Sequence, residues 1–145
     1  MNKAVAGYHL LMILSAVDEN FNGKEDRIIK NYLIENFPLD ANLDDEMEIL
    51  SNLDPSDYPV HFNNAMNAFY MDSTPEQRAH FLDFAVKLVI ADKNITPKEN
   101  LYLNELYNAW EENFSIWKRV LKNKNPDWRT SPGFFMGDAF INWKH

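Results

Sequence analysis

The sequence predicts an all-α protein, a compact bundle of about seven helices built from two pseudo-repeated helical hairpins. Three observations carry that expectation. Apolar residues recur three and four apart, and the alternation expected of strands is absent. Only 4 glycines occur. The 7 prolines stand at 38, 55, 59, 75, 97, 126 and 132, where helices would start or stop, and leave long interiors uninterrupted.

Ala4 to Val17 is apolar almost throughout, which predicts a central helix buried on every side. From Gly23 to Phe37 the residues Ile28, Ile29, Tyr32, Leu33 and Phe37 recur at helical spacing and stop at Pro38. Leu43 to Leu53 is acidic with a narrow stripe of Met47, Leu50 and Leu53, and Pro59 to Met71 carries Phe62, Ala65, Met66, Phe69 and Tyr70. Thr74-Pro75-Glu76-Gln77 combines an N-cap, a proline at the first helical position and a glutamine three after the cap. This capping box opens a helix expected to run to about Ala91. Thr96-Pro97-Lys98-Glu99 repeats the device before a helix lined by Leu103, Leu106, Tyr107, Trp110, Phe114, Trp117 and Leu121, with Asn113 as a candidate break. The final stretch places Trp128, Phe134, Phe135, Phe140 and Trp143 among prolines and glycines. It reads as a tail packing aromatics over the helical core, or as a docking segment. The domain expectation is therefore a helical domain over 1–122 and an aromatic-rich C-terminal extension over 123–145 packing on it.

At 145 residues, the chain is long enough for one hydrophobic core without staples. It has no cysteine, which excludes disulfides, thiolate zinc sites and thiol nucleophiles. With 14 basic and 22 acidic residues the net charge is −8. That balance disfavours nucleic acid and anionic membranes, whose affinity rests on basic surface. It allows a cation or a basic protein partner of unspecified identity. No segment approaches the roughly 18–20 apolar residues of a membrane span. The start resembles a signal peptide only superficially, because Tyr8 and His9 interrupt its apolar stretch and the stretch has an internal counterpart. An uncleaved, cytoplasmic protein is the expectation.

That counterpart is an internal repeat. Asp18-Glu19-Asn20-Phe21-Asn22-Gly23-Lys24-Glu25 aligns with Asp92-Lys93-Asn94-Ile95-Thr96-Pro97-Lys98-Glu99 at an offset of 92 − 18 = 74 residues. Asp, Asn, an apolar residue, Lys and Glu agree. In both copies an apolar helix leads into the Asp and an amphipathic helix leaves from the Glu. Asp18 and Asp92 thus fall at predicted helix C-termini, where the macrodipole disfavours an anion by roughly 0.3–1 kcal/mol. Asn20 and Asn94 suit a left-handed turn, while Asn22 and Thr96 are N-caps with Glu25 and Glu99 three residues on.

Two readings of these loops stay open. In one, each Glu reaches back to a cap amide, each Asp accepts loop N–H groups, and all four carboxylates are structural. In the other, two hairpins related by a pseudo-dyad bring Asp18, Glu25, Asp92 and Glu99 together, where their repulsion requires protons or a divalent cation. Oxygen ligands favour a hard ion such as calcium or magnesium. Asp18 to Gly23 also matches the opening of an EF-hand loop. The match ends there, because Ile29 stands where the bidentate Glu belongs and Pro97 replaces the glycine in the second copy.

The pattern of an apolar helix ending in Asp, a short loop with an apolar plug and a cap-x-x-Glu opening the next helix, used twice, resembles the tellurite-resistance TerB-like family. Members read A-D-G-x-I-S/T-x-x-E. Ala91 to Glu99 follows that motif with Lys93 in place of Gly, and Val17 to Glu25 follows it more loosely with Glu19 at that position. The resemblance covers roughly residues 4 to 122. It implies a compact helical fold, similar also to the N-terminal domain of DjlA-type co-chaperones, an association with bacterial stress and tellurium-oxyanion resistance, and divalent-metal binding. Position by position, the implied ligands are Asp18, Glu25, Asp92 and Glu99, supported by Asn20, Asn22, Asn94 and Thr96.

Support for catalysis is poor. The chain lacks a Gly-rich phosphate loop, H-E-x-x-H and Glu-x-x-His. His9, His61 and His80 lie in predicted helices and read as packed or surface residues, and His145 is terminal. Ser15 and Ser115 have no identifiable base beside them. A hydrolase pairing Asp18 with Asp92 would lack a substrate-binding signature. The expectation is a non-catalytic acidic module of the stress-response type that binds a divalent cation between two Asp-x6-Glu loops. Its alternative is a co-chaperone-like protein interaction module with purely structural carboxylates.

Overall fold

A computed structural model describes residues 1–15, 23–90 and 96–110. Every regular element among them is helical: α1 (Lys3–Ser15), α2 (Gly23–Asn36), α3 (Glu46–Ser51), α4 (Tyr58–Asp72), α5 (Pro75–Ile90) and α6 (Pro97–Ala109), with one 3₁₀ turn over Pro55–Asp57 before α4. The all-α expectation holds, with six α-helices among the described residues. The aromatic tail, the candidate break at Asn113 and any seventh helix lie outside them. No described helix is long and apolar enough to cross a membrane. The chain divides into two compact units, Met1–Ser73 and Thr74–His145.

In the first unit α1 is the hub. It packs against α2, α3 and α4, and ten of its residues, Ala4, Ala6 and Gly7 to Leu14, are buried. A helix apolar around its whole circumference has to be covered on all sides, and three partners supply that cover. Its first turn is capped twice. Asn2 Oδ1 accepts from the Val5 N–H at 2.9 Å, and Asp72, from the far end of α4, accepts from the Lys3 N–H at 2.9 Å. Orphan amides are thereby satisfied. α2 buries Ile29 and Leu33, and Phe37 just beyond it packs edge-on against Phe69 of α4 at 6.0 Å. Ile28, counted in the sequence stripe, is instead 41 % exposed. α4 turns Phe62, Ala65, Met66 and Phe69 inward.

The acidic segment before α4 forms less helix than its stripe predicts. α3 spans only six residues and buries Leu50 alone. Pro55 then starts the 3₁₀ turn, capped by Asp54, which accepts from the Ser56 N–H at 2.9 Å. The Ser56 backbone amide and hydroxyl, both donating to one Asp54 oxygen, hold that carboxyl below its usual range, the backbone bond acting first.

In the second unit α5 and α6 pack together. The capping box expected at Thr74 is present: Thr74 Oγ1 accepts from the Gln77 N–H at 3.2 Å and Gln77 Oε1 accepts from the Thr74 N–H at 2.8 Å. Phe81 of α5 meets Trp110, just beyond α6, edge-on at 5.8 Å. Leu103, Leu106, Tyr107 and Trp110 are buried as the periodicity predicts. Burial of each such side chain contributes roughly 1.5–3 kcal/mol.

Candidate functional site

α2 begins at Gly23 and α6 at Pro97, so both helices keep the offset of the sequence repeat. Glu25 and Glu99 therefore occupy the same third helical position. At Thr96 the backbone is extended (φ −72°, ψ 158°), which turns the side chain over the helix end. Its Oγ1 accepts from the Glu99 N–H at 3.1 Å, and Glu99 Oε1 accepts from the Thr96 N–H at 2.9 Å. The expected box is closed, and one Glu99 oxygen serves it. Asp18, Asn20, Asn22, Asp92 and Asn94 lie outside the described residues. Glu25 and Glu99 are half-buried carboxylates, a donor type that fits a hard divalent cation. Among the described residues no group of three or more His, Asp or Glu could hold a metal ion.

A second constellation lies in the first unit. His9, in the middle of α1, is 3 % exposed. Its Nε2 lies 2.6 Å from Glu46 Oε1 of α3, and its Nδ1 lies 2.5 Å from His61 Nε2 of α4. The two imidazole rings are 4.8 Å apart and tilted by 38°. A carboxylate only accepts, so Nε2 of His9 carries the proton toward Glu46 and Nδ1 is left to meet His61. One chain, Glu46–His9–His61, thus ties three helices. Leaving a buried member unpartnered would cost about 1–3 kcal/mol. Burial holds His61 below the ordinary histidine range, and the neighbouring His9 adds to the effect.

Beside it Tyr8 Oη donates to Asp26 Oδ1 of α2 at 2.5 Å. Lys30 closes the group, with Nζ 3.2 Å from Asp26 and 5.8 Å from the centre of the Tyr8 ring. Burial first, and then the bond to Asp26, push the Tyr8 phenol well above its usual range, so it remains a donor.

From the sequence His9 and His61 are expected to be packed or surface residues, with no partner assigned to either. His9 is indeed packed, but within a hydrogen-bonded chain; His80 is exposed. One signal was available. A polar side chain amid an all-round apolar helix requires partners from elsewhere. Their identities, 37 and 52 residues away, are tertiary information. Chemically, the first arrangement offers carboxylate oxygens at two equivalent helix starts, and the second stores and positions a proton. Comparison of the chain with protein-family models, with curated proteins and with solved structures gives no match.

Proposed function

We propose that the chain is a non-catalytic acidic helical module of the TerB-like, stress-response kind, cytoplasmic, which takes a calcium or magnesium ion on its Asp-x6-Glu loops. The reading rests on one observation above the others: Glu25 and Glu99 recur at the third position of α2 and α6, each seven residues after an aspartate. Capping alone does not require that aspartate, and an anion in sequence just after an apolar helix calls for compensation. The net charge of −8 and the hard oxygen donors go with a divalent cation. Isothermal titration of calcium and of magnesium into the full chain and into D18N/D92N tests the reading. Binding heat in the wild type that the variant loses is expected; equal heats, or none from either, would contradict it.

The capping geometry favours a second reading. With Glu99 Oε1 engaged by the Thr96 N–H, the carboxylates are structural and the module serves a protein partner in the manner of a co-chaperone domain. On that reading E99A costs about 1 kcal/mol with or without calcium. On the cation reading the loss grows when calcium is present.

A further inference from the structure

The Glu46–His9–His61 chain is unused by the acidic loops, and its geometry selects its ligand. A tetrahedral metal held by two imidazoles at about 2.0–2.1 Å separates their nitrogens by about 3.3 Å. The observed 2.5 Å leaves room for one hydrogen and no more. With both rings neutral, Nε2–H of His9 faces Glu46 and Nε2–H of His61 fills the gap, leaving Nδ1 of His61 bare. A first added proton goes to that Nδ1. The gap then still holds one hydrogen, whichever ring owns it, and the charges of Glu46 and the imidazole pair sum to zero. A second added proton must enter the gap itself, where two N–H groups meet head-on. The close approach of the His9 and His61 rings cannot survive that.

We propose that Glu46, His9 and His61 form a proton-operated clamp that fastens α1 to α3 and α4 and opens when both imidazoles are protonated.

Among the other charged groups on the surrounding elements, Lys3 pairs with Asp40, Glu25 stands half-buried in the first turn of α2, and Arg27 and Glu35 are exposed. Asp26 of α2 bonds Tyr8 and Lys30, Asp72 of α4 caps α1, and Asp54 bonds Ser56. Asp45 and Glu48 around α3 and Asp57 before α4 are exposed. Glu46 is therefore the anion that faces His9, with 15 % of its side chain accessible. The depressed affinity of His61 for a proton agrees in direction. The sign follows from linkage: two unfolded histidines each take a proton near pH 6.5, whereas the clamped pair takes one and resists the second, so stability present above that pH is lost as pH falls below it.

The test is urea unfolding of the full chain between pH 7 and pH 5, wild type against H61Q, with imidazole ¹⁵N spectra of the folded wild type. His61 is only half-buried, so H61Q should fold at pH 7, and circular dichroism checks it. Between pH 7 and 5 the unfolding constant should rise about tenfold more in the wild type than in H61Q, below a ceiling of about 25-fold set by a reference pKa of 6.5. The imidazole pair should take up its two protons in separate steps, the second below about pH 6.5. Identical pH profiles, or independent titration of both rings at ordinary values, would overturn the proposal. So would 1:1 zinc binding at pH 7 that H61Q abolishes, since the pair would then be a metal site. Calcium binding to the acidic loops bears on neither result.

Discussion

The middle of α1 and the start of α6 each enlist a glutamate in a hydrogen-bonded arrangement, by opposite means. At α6 the partners Thr96 and Glu99 are three residues apart, so the box can form as soon as the helix does and says nothing about what surrounds it. At α1 the partners of His9 lie 37 and 52 residues away on two other helices. That chain exists only when α1, α3 and α4 are assembled. The first arrangement stabilises a helix end; the second reports on, and helps to specify, a tertiary unit. A non-local chain of titratable groups can also couple packing to proton concentration, which a local cap does not do.

Variants at the two places separate these roles. The largest effect belongs to the hub itself: L11A, at a fully buried position of α1, should lower unfolding free energy by about 2–5 kcal/mol in urea denaturation. L101A, on the exposed side of α6, should stay within about 0.5 kcal/mol. H9L should cost about 1–3 kcal/mol at pH 7 by stranding Glu46 and His61, and adding E46L should recover part of that loss. No recovery would mean that the chain is not what holds His9. Next comes T96A at about 1 kcal/mol, with a loss that is the same at pH 7 and pH 5. A pH-dependent T96A loss would blur the contrast between local and tertiary arrangements. The smallest effect is that of K87A, whose half-exposed ammonium lies 3.0 Å from Asp83 one helical turn earlier. About 0.3–0.5 kcal/mol is expected there.

Legibility in the sequence followed the same division. Helix starts at Pro75 and Pro97, the two capping boxes and the buried faces of α4 and α6 could be read because their causes lie within a few residues. The all-round burial of α1 followed from its composition. Less visible was what depends on neighbours. α3 stops at Ser51 although its apolar stripe continues to Leu53, and Ile28 points outward although it has helical spacing. Both outcomes depend on which surfaces the first unit offers to cover a side chain. The Glu46–His9–His61 chain was the least legible feature, since a lone histidine announces a need for partners without naming them. Of the candidate metal ligands, Glu25 and Glu99 stand where the repeat predicts, at one helical position; Asp18 and Asp92 lie outside the described residues.

Whether the Asp-x6-Glu loops hold an ion is decided by native mass spectrometry of the full chain sprayed with calcium or magnesium acetate. A discrete adduct of stoichiometric calcium or magnesium is expected on the wild type and is lost from D18N/D92N. A bare wild-type chain, or the same adducts on both proteins, would contradict it.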